Sequence, residues 1–193
     1  MNIIEKLRLE TRTYQSDLEN CQLLSQLMRD NLTQEKYKAV LSKFFSYYSP
    51  IESNLISDTS IQADLPDIAS RKKIMHLFDD LIHLGLSGSD IKAIPMCSYL
   101  PDLSTPAKFM GYLYVTEGSA MGRQFVHKKL MSQLDLTEEN GCSFFNAYGV
   151  ENMDMWKTFC LKLNEFAQTH NCDEEIIQAS KDAFQKLKTW MDV

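Results

Sequence analysis

Apolar residues recur every three or four positions along almost the whole chain, and the strict alternation typical of strands is nearly absent. A period of this kind is produced by helices that each bury one face. It predicts about six main helices, which cover residues 4–28, 33–55, 68–84, 106–130, 151–170 and 173–190. The pattern therefore predicts an all-α, single-domain helical bundle that extends over residues 1–193.

Several residues mark the predicted breaks between these helices. Pro50 is expected to kink or end the second helix, and Gly85 to end the third. The polar residues 57–66 are predicted to form a loop, and residues 87–104 a long connection with one short helical turn. Asn140 and Gly141 together predict a turn.

The fourth predicted helix carries an unusual row of glycines. Thr105 and Pro106 provide an N-cap and a first helical residue. Gly111, Gly118 and Gly122 are separated by 7 and 4 residues, so they fall on one face at about 100° per residue. Each glycine inside a helix costs about 1 kcal/mol relative to alanine. The row indicates either a tightly packed neighbouring helix or a flat ligand that lies against bare backbone.

Composition narrows the classes of function. The formal net charge is −6 and the longest basic run is Arg71-Lys72-Lys73, which argues against a nucleic-acid-binding surface. No apolar run approaches the length of a membrane span. The segment MNIIEKLRLETR lacks the apolar centre of a signal peptide, and the five scattered cysteines form no C-x-x-C pair. We therefore expect reduced thiols and a cytoplasmic location.

The sequence contains no clear metal-ligand or nucleophile motif. His76 and His83 lie seven residues apart, and a solvated helix face is favoured over a metal site for this pair. His127 is flanked by lysines, which predicts an exposed position near a helix end. Helically spaced aromatic residues, Tyr112 and Tyr114 among them, predict core packing more often than a ligand cavity.

Beyond these general features, the chain resembles the haem oxygenases, and in particular the bacterial biliverdin-forming group found alongside bacteriophytochromes. The resemblance runs in order from Leu7 to Phe184, and the most diagnostic stretch is LYVTEGSAMGRQ at 113–124, which is similar to the family's distal helix. Four further stretches carry it, namely LRLETRTYQSDLE at 7–19, LMRDNLTQEKYKAVLSKFFSYYSPIE at 27–52, RKKIMHLFDDLIHLG at 71–85 and FFNAYGVENMDMWKTF at 144–159.

The resemblance implies a specific arrangement and reaction. In the family, haem lies between the first helix and the distal helix, and crowding by the distal helix steers oxygen toward one carbon of the ring. By resemblance, Gly118, Ser119 and Gly122 would be the catalytic segment of the distal helix. The products would be biliverdin, iron and carbon monoxide, with electrons supplied by a reductase or a ferredoxin.

The axial position departs from the family pattern. The proximal histidine of the family belongs where this chain has Gln15, and no residue from 12 to 19 is a histidine. A neutral imidazole is a good axial ligand for haem iron, whereas an amide oxygen is a poor one. The residues expected to contact haem are Arg8, Gln15, Tyr112, Gly118, Gly122 and Arg123. No metal ligand is assigned with certainty.

Three hypotheses remain open at the level of sequence. The chain is a haem oxygenase homologue with weakened or lost turnover, an active haem oxygenase with an unusual or absent axial ligand, or a non-enzymatic interaction protein. In the first two, the glycine row admits a porphyrin. In the third, it only permits close packing between helices.

Overall fold

The computed structural model describes residues 1–55, 60–137 and 140–192, apart from the side chains of 54–55, 60–61 and 119–125. Helices dominate this part of the chain, and no strand is formed within it. The all-α prediction is therefore confirmed. The α-helices are α1 (Ile3–Glu19), α2 (Gln22–Ser25), α3 (Gln34–Leu55), α4 (Ser60–Asp64), α5 (Ile74–His83), α6 (Gly88–Lys92), α7 (Pro106–Leu134), α8 (Asn152–His170) and α9 (Asp173–Asp192).

The N-termini of α1, α3 and α7 are capped by side chains that the sequence supplies locally. Asn2 and Glu5 form a reciprocal capping box at the start of α1. The hydroxyls of Thr33 and Thr105 accept backbone N–H groups three residues ahead, at the starts of α3 and α7. Pro106 occupies the first turn of α7, as the sequence predicts.

The first helix is shorter than its apolar pattern predicts. The prediction of one helix to Met28 is wrong, because α1 ends at Glu19 and is followed by α2 and a 3-10 turn at Gln26–Met28. The side-chain amide of Asn20 donates a hydrogen bond of 2.8 Å to the carbonyl of Ser16. The backbone N–H of Asn20 donates to the same carbonyl at 3.0 Å, so the side chain adds a second donor at the end of α1. The apolar spacing continues across the break, which is why periodicity does not detect it.

Pro50 neither ends α3 nor interrupts it, since the helix continues to Leu55. A proline has no N–H, so the carbonyl of Ser46, four residues earlier, loses its helical donor. The backbone N–H of Cys97 donates to this carbonyl at 3.1 Å. A segment distant in sequence thus satisfies the acceptor that the proline leaves open.

The predicted third helix is divided into a 3-10 turn at Ile68–Arg71 and α5. The division is stabilised by Glu52 of α3, whose carboxylate accepts the backbone N–H groups of Lys73 at 2.7 Å and Ile74 at 3.0 Å. These are donors that the first turn of an α-helix leaves without a partner. Glu52 therefore acts as a cap from a distant part of the sequence.

Helix α9 forms the centre of the packing. Both α1 and α7 pack extensively against α9 and also contact α8. Within the described residues, α1 and α7 make no comparably close contact with each other. The arrangement therefore leaves a cleft between these two helices.

Each helix that the structure describes is too short or too polar to span a lipid bilayer.

Candidate functional site

The cleft between α1 and α7 has a volume of about 640 Å³. This volume lies within the range of sites that bind small molecules and cofactors, roughly 300 to 1,000 Å³. Most of the lining is apolar or aromatic and comes from α1, α3, α7, α8, α9 and the segments between them, and it includes Leu18, Leu27, Phe44, Phe144, Phe184 and Leu187. Such walls suit a large, flat and mostly apolar ligand.

Helix α1 contributes a polar stripe to this cleft. Arg8, Gln15 and Glu19 all line it, and their spacing of 7 and 4 residues places them on one helix face. The side-chain amide nitrogen of Gln15 donates a hydrogen bond of 2.8 Å to a carboxylate oxygen of Glu19. The stripe thus brings one cation, one amide and one carboxylate to a cleft whose other walls are largely apolar.

Gly118 lines the cleft from α7. A Cβ atom added there would lie 3.4 Å from the indole of Trp156, which is ordinary van der Waals contact. Trp156 also lines the cleft and packs its ring against Tyr114, with the two ring centroids 5.9 Å apart. Because Gly118 has no side chain, its backbone is exposed to the cleft. The packing of the protein does not require a glycine at this position.

Gly111 has a different role from Gly118. A Cβ atom at this position would lie 2.5 Å from the carbonyl oxygen of Ile176 and 2.8 Å from the Cβ of Ala179, both on α9. The first glycine of the row thus allows α7 and α9 to approach closely. The close packing predicted for the glycine row is thus observed at Gly111, whereas a flat ligand against the backbone at Gly118 stays a prediction. The seven residues from Gly111 to Gly118 span about 10.5 Å along the axis of α7. The same face of this helix therefore contacts α9 at Gly111 and borders the cleft at Gly118.

The remaining predicted site residues do not all lie at the cleft. Tyr112 lines a smaller cavity of about 240 Å³, beside Glu52 and Arg71, and not the cleft. Its position on α7 is turned away from that of Gly118, because six residues correspond to about 240° of rotation. The structure therefore does not bring Tyr112 to the cleft with Gly118, and its contact with haem stays a prediction. Ser119, Gly122 and Arg123 belong to the helical backbone of α7, and their side-chain surroundings lie outside the described residues.

A buried ionic network lies directly next to Gly118 in the sequence of α7. Glu117 is 1% exposed, and its carboxylate accepts from Arg71 at 2.7 Å and from Lys73 at 3.0 Å. The hydroxyl of Tyr148 donates to the same carboxylate at 2.8 Å and accepts a hydrogen bond from Lys73. Asp67 provides a second carboxylate for Arg71 at 2.7 Å. These contacts fix the register of α7 against the 68–74 segment.

Sequence analysis does not identify this network, although two signals for it exist. Glu117 interrupts an otherwise apolar stretch of α7, and Arg71 and Lys73 belong to the longest basic run in the chain. A buried charge needs partners of opposite charge. Because the two halves are more than 40 residues apart, spacing alone does not pair them.

Histidine and cysteine side chains do not line the cleft. All four histidines and all five cysteines lie in the described part of the chain, and none of them is among the lining residues. The prediction that His127 is exposed is wrong, because this residue is only 5% exposed. It lies well inside α7, which continues to Leu134. The five cysteines, all within the described ranges, form no disulfide with one another.

Comparisons with known proteins agree with this architecture. The family model described as "Heme oxygenase" matches residues 1–192. The haem oxygenase from Leptospira interrogans superposes with a TM-score of 0.82 at 17% identity, covering 100% of this chain and 99% of that one. A comparison with curated proteins found no match.

Two further solved structures share the fold. The NO- and CO-bound haem oxygenase from Neisseria meningitidis gives a TM-score of 0.82 at 21% identity, covering 99% of this chain and 90% of that chain. Haem oxygenase-1 from the cyanobacterium Synechocystis, solved in complex with haem, gives 0.78 at 17% identity, covering 100% and 91%. At these identities the likeness concerns the fold.

Proposed function

The chain belongs to the haem oxygenase family, and we propose that it binds haem in the cleft between α1 and α7 while oxidative cleavage of the ring is weakened or lost. The observation that carries this proposal is the apolar cleft that Gln15 lines, at a position where the resemblance implies an axial histidine. All four histidines lie away from the cleft lining, so none of them replaces the missing imidazole there.

The residues of the cleft fit the haem ring. Its apolar walls suit a porphyrin, and the bare backbone at Gly118 would let the ring approach α7 closely. Haem also carries two propionate groups. Arg8 is exposed and lines the cleft, so its guanidinium is suited to pair with a propionate through charge-assisted hydrogen bonds.

The same residues are poorly suited to efficient oxidative cleavage of the haem ring. Bound haem supplies the iron at which oxygen is activated, and the axial ligand tunes that chemistry. This chain offers the Gln15 amide, which is neutral and weakly basic, where the family has an imidazole. The protein's own part would then be to bind and orient the ring, to exclude water with its apolar walls and to neutralise a propionate through Arg8.

We further propose that the chain is related to the bacterial biliverdin-forming group. The support is the resemblance of LYVTEGSAMGRQ at 113–124 and of FFNAYGVENMDMWKTF at 144–159. If the protein turns over, biliverdin would be the product, and a reductase or ferredoxin would supply electrons. If it does not, haem or biliverdin would be a bound ligand.

A haem titration combined with a turnover assay tests the proposal. Wild type should bind ferric haem with a shifted Soret band and form little biliverdin when a reductant is supplied. Gln15→His should raise the rate of biliverdin formation on the order of tenfold or more, which corresponds to about 1.4 kcal/mol in the barrier. Gln178→His provides the matched control, because Gln178 is exposed on α9 and does not line the cleft.

Each part of the proposal has its own contradicting result. An unshifted Soret band in wild type and in Gln15→His would contradict haem binding and favour a protein that only binds other proteins. Biliverdin formation by wild type as fast as by Gln15→His would contradict weakened turnover and identify an active enzyme without a histidine ligand.

A further inference from the structure

The hydrogen bond between Gln15 and Glu19 places a carboxylate beside the position at which the family has its axial histidine. We propose that Glu19 is the protein ligand to haem iron in this chain and that Gln15 is a positioning residue which orients its carboxylate. This inference rests on the proposed binding of haem in the cleft. It assigns the ligand that the histidine-free cleft otherwise lacks.

The geometry of α1 favours this assignment. Side chains on a helix lean toward its N-terminus, so a residue at position i+4 reaches back over residue i. The 2.8 Å contact from the Gln15 amide nitrogen to the Glu19 carboxylate is a direct result of this arrangement. Both residues line the cleft. The carboxylate therefore lies within one hydrogen-bond length of the Gln15 amide.

The charge of Glu19 also suits a ferric iron. Among the described side chains, no lysine or arginine forms an ion pair with Glu19, so its negative charge is not already neutralised by one of them. Ferric protoporphyrin carries one net positive charge at its centre. An anionic oxygen can neutralise that charge, whereas the neutral amide of Gln15 cannot.

Three other donors in or near the cleft compare unfavourably. Tyr114 lies on α7, the opposite wall, and burial raises the pKa of its hydroxyl, which disfavours the phenolate. Cys160 is outside the lining, and burial raises the pKa of its thiol to about 11. Met28 lines the cleft with a soft thioether, which is better suited to ferrous than to ferric iron.

A carboxylate ligand also accounts for the weakened turnover. Anionic oxygen donors stabilise the ferric state relative to the ferrous state, so they lower the reduction potential of the iron. A haem that is difficult to reduce receives electrons slowly from any donor. The proposed ligand and the proposed loss of activity are therefore two consequences of the same side chain.

The test compares Glu19→Gln with Glu10→Gln, which makes the same substitution on α1 at an exposed residue outside the cleft lining. The probes are ferric protoporphyrin IX and metal-free protoporphyrin IX. We expect Glu19→Gln to weaken ferric binding about 10- to 100-fold and to leave metal-free binding unchanged. Its ferric optical and EPR spectra should change and its midpoint potential should rise. Glu10→Gln should behave like wild type.

Two variants separate ligand from positioning residue. Gln15→Ala should keep the wild-type spectral class and weaken ferric binding about tenfold, as the loss of an orienting partner does. Wild-type ferric spectra and potential in Glu19→Gln, with haem still bound, would overturn the assignment and leave the proposed function intact. A change in the ferric spectra and the midpoint potential that occurs only in Met28→Leu would also overturn the assignment. Absence of haem binding in wild type would overturn the proposed function itself.

Discussion

The hydroxyl of Ser180 on α9 donates a hydrogen bond of 2.9 Å to the backbone carbonyl of Gly111 on α7. Both groups are buried, and the same hydroxyl is 2.9 Å from the carbonyl of Ile176. A contact of this kind between a side chain and a helical backbone requires the two helices to lie very close together. Gly111 permits that approach because it has no side chain.

We expect Gly111→Ala to destabilise the fold. Its methyl group would overlap the backbone of α9 at 2.5 Å, so α7 would have to move away and weaken the Ser180 hydrogen bond. Overpacking of this kind costs about 1–3 kcal/mol, which exceeds the gain in helix propensity. Urea unfolding measures the change. Gly88→Ala is the control, because a Cβ there meets nothing within 4 Å. Equal stability of the two variants would contradict the close approach.

Gly118→Ala should preserve the stability of the fold but weaken haem binding. A methyl group there makes only an ordinary contact with Trp156, so the fold should keep its stability or gain up to about 1 kcal/mol of helix propensity. The same methyl group would narrow the cleft, and we expect about tenfold weaker haem binding, or about 1.4 kcal/mol. Unfolding and haem titration of the same preparation test both statements. Unchanged affinity would show that the ring does not approach this backbone.

Removal of the Glu117 charge should be severe. Glu117→Gln would leave Arg71 and Lys73 buried without their shared carboxylate. Breaking a buried pair in this way costs about 3 kcal/mol or more. Thermal and urea unfolding provide the measurement, and Glu165→Gln, in a solvent-exposed pair with Lys162, should have little effect. A small effect at Glu117 would mean that the network does not hold α7 in place.

Glu52 should make stability depend on pH. Burial raises the pKa of this carboxyl even though it accepts two backbone N–H groups. The folded state then holds the proton more tightly than the unfolded chain, whose glutamate pKa is about 4.3. The resulting stabilisation is present below that value and is lost as the pH rises through the folded-state pKa.

The variant Glu52→Gln removes this component. Its unfolding free energy should be lower than that of wild type at every pH, because an amide accepts only one of the two backbone donors well. With rising pH, its unfolding free energy should also fall less steeply than that of wild type. Urea unfolding at a series of pH values above about 4 measures both quantities. Parallel curves for the two proteins would contradict a raised pKa at Glu52.

Local features of the fold are predictable from the sequence. The Thr105 cap and the helical periodicity depend on residues within one turn of each other, and both predictions are confirmed. Two further features are decided by groups that are distant in the sequence. The N–H of Cys97 satisfies the carbonyl that Pro50 leaves open, and Glu52 caps α5 from α3.

The same distinction between local and distant groups applies to the candidate site. Residues on one helix face, such as Arg8 and Gln15, are brought together by spacing that can be counted in the sequence. The roles of Gly111 and Gly118 cannot be separated by counting, because they depend on which neighbour each glycine meets. The same is true of Glu117, whose basic partners lie more than 40 residues away.

A crystal structure of the wild-type protein with ferric haem tests the central claim most directly. The account predicts one haem between α1 and α7, with the Gln15–Glu19 turn facing one side of the ring and the backbone at Gly118 facing the other. Haem bound elsewhere on the surface, with this cleft closed or empty, would contradict it.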